Sequence, residues 1–221
     1  RHFHPYGYTT DSLYTHGSVI RAACDYVLKA LDGTGEVVIA DAPLQTCDFD
    51  AVSDLSGVSA LAAFYGRVGC EIPVRDLRLV RSVAESRGWM GRVLVKHDNG
   101  GDPLGYTTVR LDAASLHAGR ESEGRYRVTC YDPAAMSLHH GGGRHQYVIA
   151  NTLLEADVVI NLPKVKTHQK AGITGALKNF VGINGHKDCL PHHVSGPAAE
   201  GGDEYAARSS AKRLDSWLQD F

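Results

Sequence analysis

The stretch "ADVVINLPKVKTHQKAGITGALKNFVGING", Ala156 to Gly185, decides how this chain is read. "VVINLP" is a short apolar run rich in β-branched residues, which reads as a buried strand. Pro163 cannot donate a ladder hydrogen bond, so it reads as the stop. Behind it come Lys164, Lys166, His168, Lys170 and Lys178, set around Gly172, Gly175 and Gly182. "ITGALKNFVG" reads as a short helix ended by Gly182. In open α/β sheets ligands bind beyond the carboxyl ends of the strands. The cations are therefore expected at a ligand-binding edge.

Upstream, "GSVIRAACDYVLKAL" (17–31) predicts a helix with Val19, Ile20, Ala23, Val27, Ala30 and Leu31 on one stripe. Ser18 is its expected N-cap, and Gly33 and Gly35 mark the exit. "EVVIADAP" then predicts a second buried strand with Asp41 at its carboxyl end. Helix, short loop and strand are half of a doubly wound unit. The expected fold class is α/β, a mostly parallel, doubly wound (Rossmann-like) sheet with a β-rich middle segment. Residues 56–69 predict a further helix. "DLRLV", "RVLVKH", "YTTVRLD" and "RYRVTCYD" predict strands, with "HDNGGDPLGY" a hairpin-like loop. "IANTLLEAD" predicts a short helix, "HKDCLPHHVSGPAAEGGDEY" a long loop, and the last residues a final helix, with Asp203 and Glu204 as its expected caps. The chain starts without Met and stops just after that helix. It is expected to be a piece of a longer protein, with residues 1–221 forming a single α/β domain and 77–150 a β-rich insertion or sheet extension.

Composition narrows the partners. Of 221 residues 43% are hydrophobic, enough for a sizeable core, and 23 basic against 25 acidic side chains give a net charge of -2. Nothing global attracts nucleic acid or an anionic membrane, and no run approaches the ~18 apolar residues of a membrane span. The five cysteines are scattered, without a C-x-x-C pair, which suits reduced thiols in a cytoplasmic protein and gives no iron–sulfur signature. Twelve histidines point towards metal or acid/base chemistry.

Glycines let a backbone approach a ligand closely, and a helix N-terminus offers free N–H groups to an anion. Thr167, Gly172, Thr174, Gly175, Lys178 and Asn179 are the candidate cofactor-binding residues. His168, Lys178 and Asp41 are the candidate catalytic residues. The opposing reading makes the glycines packing and capping residues and the lysines a solvated face. The spacing G-x-x-G-x-x-K is not a Walker A motif. Lys164, Lys166 and Lys170 are expected to be surface charge. In "GHKDCLPHH", His186, His192 and His193 are candidate metal ligands with Asp188 or Cys189, or else parts of a polar surface loop. His139, His140 and His145, in a Gly-rich loop, are expected at the surface. No G-x-S-x-G elbow is present.

The residues "NLPKVKTH" and "GITGALKN" fit N-x-P-K-x-K-T-H followed by G-x-T-x-x-x-K-N. In this the chain resembles the domain of unknown function 362 family, and "YTTDSLYTHGSVIRAACDYV" and "GEVVIADAPLQTCDF" look like that family's earlier segments. Some members carry ferredoxin-like cysteine motifs. This chain has none, so no iron–sulfur cluster is expected. His168 and Lys178, ten residues apart around Gly172 and Gly175, are also similar to the N-terminal domain of lactate racemase-type enzymes. There the lysine holds a nickel-pincer nucleotide covalently and histidines serve the metal and proton transfer. His192 or His193 would match a downstream histidine. The glycine run here differs and no catalytic C-terminal domain is visible, so the likeness implies a phosphate- or nucleotide-binding place and not nickel. The expected function is an enzyme binding a phosphate-containing or nucleotide-like anion at 161–185, with an isomerase or racemase class by analogy only. The alternatives are a metal-dependent enzyme using 186–193, with a divalent metal as cofactor, and a non-catalytic binding or assembly module.

Overall fold

Helix α1, Gly17–Leu31, spans the residues its periodicity predicts, but turned on its axis. Ile20, Cys24 and Leu28, one turn apart, face the core, while Val19 is exposed. His16, not Ser18, caps it: the imidazole Nδ1 accepts the Ser18 N–H. A side chain at Gly17 would meet the Ser56 carbonyl 2.7 Å away, so glycine lets α1 sit on the end of helix α2, Phe49–Ser56. Gly57, at φ 83°, turns the chain into α3, Val58–Arg67. Leu61 and Tyr65 of α3 complete the cluster with Ile72. The Tyr65 hydroxyl donates to the Asp25 carboxylate, and the Arg21 guanidinium lies 4.6 Å over the Phe64 ring.

The computed structural model describes residues 12–120, 124–127, 132–168, 172–206 and 209–219. They divide into two compact units, one running to Pro103 with Thr152–Ile183, the other Leu104–Asn151 with the chain from Asn184. In the first, β1 (Ile39–Asp41) pairs in parallel with β2 (Val74–Asp76), and β3 (Val80–Ser86) antiparallel with β4 (Arg92–Asp98). In the second, β5 (Tyr106–Arg110) pairs antiparallel with β7 (Gln146–Ala150), and the two-residue β6 (Tyr126–Arg127) with β10 (His193–Val194). Helices α4 (Pro133–His139) and α7 (Ser210–Gln219) belong to that unit, while α5 (Asn151–Leu154) falls in the first from Thr152 onward. Back in the first unit, β8 (Lys166–His168) and β9 (Gly172–Thr174) pair antiparallel and lead into α6 (Ala176–Asn179).

No doubly wound parallel sheet exists among the described residues. There are five two-stranded sheets, and four of them are antiparallel. The expected strand "VVINLP" has no ladder partner and no regular structure, and Val158 is 75% exposed. Pairing, not hydropathy, makes a strand, and an apolar β-branched run alone is no evidence of a partner. "HDNGGDPLGY" is not a hairpin, because β4 pairs back with β3 and β5 with β7. At the start of α7 the Lys212 N–H donates to Ser209 Oγ, and Asp203 and Glu204 bind backbone elsewhere. Their carboxylates accept the backbone N–H groups of Val194 and Gly196.

One buried cation organises the first unit. Arg78 is 2% exposed; its guanidinium grips the Asp76 carboxylate at 2.6 Å and donates to the carbonyls of Leu44, Gln45 and Cys47. It thereby wraps the loop after β1 around the end of β2. The second unit buries histidines as well as Lys187 and Asp188. His140 and His145 are fully buried, contrary to their expected surface placement. His140 Nε2 donates to the Cys189 carbonyl at 2.8 Å, and the two Nδ1 atoms lie 3.4 Å apart.

Two outcomes follow. Arg78→Met leaves a carboxylate and three carbonyls without their donor, so it should lower urea-measured stability by about 3 kcal/mol. A change below about 1 kcal/mol would remove Arg78 from this role. Burial pushes the His140 pKa down to about 4, and His145, His117 and His139 add to the effect, against the Cys189 carbonyl bond. Its unfolded value is 6.5, so between these values the unfolded chain binds more protons. The stability held by neutral His140 is complete above pH 6.5 and is lost as pH falls towards 4. Unfolding free energy should drop by on the order of 2 kcal/mol across that window, with a shallower slope in His140→Gln.

Candidate functional site

The site candidates of the first unit share one pinned segment. Asn161 anchors it: its Nδ2 donates to the Ala176 carbonyl at 2.9 Å, and its Oδ1 accepts from Asn179 Nδ2 at 2.7 Å. The Thr174 hydroxyl, buried on β9, donates to the Lys166 carbonyl across the hairpin. Upstream residues brace the same segment. Thr15 Oγ1 donates to the Leu162 carbonyl at 2.7 Å, and Lys166 Nζ to the Leu13 carbonyl at 3.0 Å.

Strand alternation then sorts the motif. Lys164, Lys166 and His168 are half-buried, while Val165 and Thr167 between them are exposed. Lys178 comes to His168 from α6, with Nζ 3.3 Å from Nε2. An ammonium can only donate, so this Nε2 is the acceptor nitrogen and the ring proton is assigned to Nδ1. Asp41 reaches the same neighbourhood from β1. The Ala42 N–H donates to the Gly182 carbonyl at 2.7 Å, and a side chain at Gly182 would collide with the Asp41 carboxylate. Burial pushes the Lys166 pKa down, the positive Lys178 and Lys164 push it the same way, and Asp41 opposes them. Lys166 thus lies within electrostatic reach of Asp41 and Lys178.

Asp41, His168 and Lys178 are therefore gathered in one unit. Thr174 and Asn179 are engaged in holding the hairpin and α6. Gly172, at φ 73°, takes the left-handed turn that opens β9, and Gly175 leads into α6. Since α6 is a single turn of four residues, ammonium groups and not a helix dipole supply the positive charge. Lys170 lies outside the described residues. Sequence reasoning missed Lys166, although the period-two pattern in "KVKTH" already put it on the face of His168.

The second cluster is more dispersed. His186 Nδ1 lies 3.2 Å from Cys189 Sγ, and its ring stacks on His139. His192 and His193 stand perpendicular, 6.0 Å between ring centroids. The buried Asp188 carboxylate accepts the Asp132 N–H. Among the described residues no three or more His, Cys, Asp or Glu side chains are grouped to hold a metal ion. Among the described residues no helix is long and apolar enough to cross a membrane.

The contact between Gly182 and Asp41 can be tested by a double-mutant cycle. Gly182→Ala should cost roughly 1–3 kcal/mol, because the carboxylate must swing away. Asp41→Gly opens that space, so the double variant should recover most of the loss. Additive losses would show that the two residues do not touch.

Residues 108–216 match the family described as Domain of unknown function (DUF362). No curated protein and no solved structure matches the chain. The matched span holds the hairpin, the Asn161–Asn179 pair and the His168–Lys178 contact, while Asp41 lies before it. Over residues 108–216, then, the chain is similar to the DUF362 family.

Proposed function

We propose that the first unit binds a phosphate-containing or nucleotide-like anion at hairpin β8–β9 and α6, and acts on it as an enzyme. The observation that carries this reading is the 3.3 Å approach of Lys178 to His168 beside Lys166. Like charges around one face favour an anion, and a neutral imidazole accepting from an ammonium is poised to exchange a proton once the anion draws that ammonium away. Lys178 meets the anion, and His168 carries the proton. Asp41, whose charge acts on Lys166, limits how much negative charge the site accepts.

Free thiols at Cys24, Cys47, Cys70 and Cys189 suit a reducing compartment, and a cytoplasmic location belongs to this reading. With no basic excess in the composition, the ligand is a small molecule and not a nucleic acid. A purely docking module would use the same cations for affinity and need no proton carrier.

Calorimetry with inorganic phosphate, a nucleoside triphosphate and a sugar phosphate separates these outcomes. Lys178→Ala should weaken the best of them by about tenfold to a hundredfold, as expected for losing a charged hydrogen bond. His168→Gln should change affinity much less while abolishing turnover. Parent-like binding in both variants would sink the proposal. Weakened binding in Lys178→Ala, with no turnover in the parent across phosphorylated substrates, would leave only the docking role.

A further inference from the structure

Lys166 differs from Lys178. Lys178 is exposed, whereas Lys166 is half-buried and its Nζ is held at 3.0 Å by the Leu13 carbonyl. That carbonyl is a neutral acceptor. It fixes the nitrogen in place without supplying a counter-charge. The charges that face it are mixed: Lys178 and Lys164 disfavour a third ammonium, Asp41 favours it, and burial works with the lysines. The sum is an amine held in position that gives up its proton more readily than an ordinary lysine, the direction in which a lysine becomes a nucleophile. Its neighbour two residues on along the same strand face is His168, an imidazole able to move a proton.

We propose that Lys166 is the nucleophile of this site and takes an anion bearing an aldehyde or ketone as a Schiff base. The inference rests on the anion-site reading for its substrate class. Lys178 holds the anionic group while the Lys166 amine attacks the carbonyl carbon. The Nζ–C bond forms as the carbonyl π bond breaks, and the oxygen takes one proton through His168 to give a carbinolamine. The C–O bond then breaks. The oxygen leaves as water with the second amine proton, and a neutral imine remains. Nothing is oxidised or reduced, and no further reactant is needed.

The test uses pyridoxal 5'-phosphate, an anionic aldehyde, with borohydride to fix any imine and peptide mass spectrometry to place it. Lys166 should be labelled several-fold faster than the exposed Lys29 and Lys178, with inorganic phosphate protecting it. Lys166→Arg, which keeps the charge, should remove that adduct. Labelling spread over the lysines by exposure, or centred on Lys164 or Lys178 with Lys166 untouched, overturns the proposal. Equal labelling of Lys166 by pyridoxal without its phosphate, unprotected by inorganic phosphate, keeps the nucleophile but removes the anion site beneath it.

Discussion

One backbone hydrogen bond carries the geometry of the first unit, from the Ala42 N–H to the Gly182 carbonyl at 2.7 Å. It joins the end of β1 to the turn after α6, segments far apart in the chain. It also brings the Asp41 carboxylate against a position where a side chain would collide with it. Glycine at 182 is thus required for close approach and not as the helix cap its position in the sequence suggests. Once this tie is made, the carboxylate of β1 and the cations of the β8–β9 hairpin share one electrostatic neighbourhood. Every role assigned to Asp41, Lys166 and Lys178 depends on that proximity.

The two units meet the problem of buried polarity differently. Arg78 is enclosed, but a carboxylate and three carbonyls receive its donors, so the burial of its charge is compensated in place. The histidines of the second unit are enclosed without equal compensation. His139 Nδ1 and His145 Nε2 have no hydrogen-bond partner among the described residues. An imidazole tolerates this because it can stay neutral, which a guanidinium cannot. The consequence is a unit whose stability follows pH through groups far from its surface.

The legible part of the sequence was the part governed by local periodicity. Helix α1 was found to the residue because i, i+4 spacing and the glycines beyond it are encoded within fifteen residues. The sheets were not legible, because a strand is defined by a partner elsewhere in the chain. "VVI" at 158–160 satisfies every local criterion for a buried strand and pairs with nothing described. For the same reason His140 and His145 read as loop residues. Glycines surround them in sequence, but Tyr126, Tyr147 and the Cys189 carbonyl enclose them in space. The candidate site was half legible. The motif pointed to His168 and Lys178, which the fold sets 3.3 Å apart, while the half-burial of Lys166 and its tie to Leu13 needed distances.

That division explains the motif's spacing. Asn161 and Asn179 lie eighteen positions apart because they must close on each other after the chain has run out along β8, turned, returned along β9 and made one helical turn. Thr174 sits opposite Lys166 in the ladder, where its hydroxyl can reach the Lys166 carbonyl. These residues fix a frame. Lys166 and His168 fall two apart on one face of β8, and Lys178 reaches them from the turn that Asn179 secures. The amide next in sequence to Lys178 is the one bonded to Asn161, so the frame fixes the backbone that carries the ammonium. A substitution at Asn161 therefore acts on Lys178 from a distance, by releasing the turn that places the ammonium beside His168.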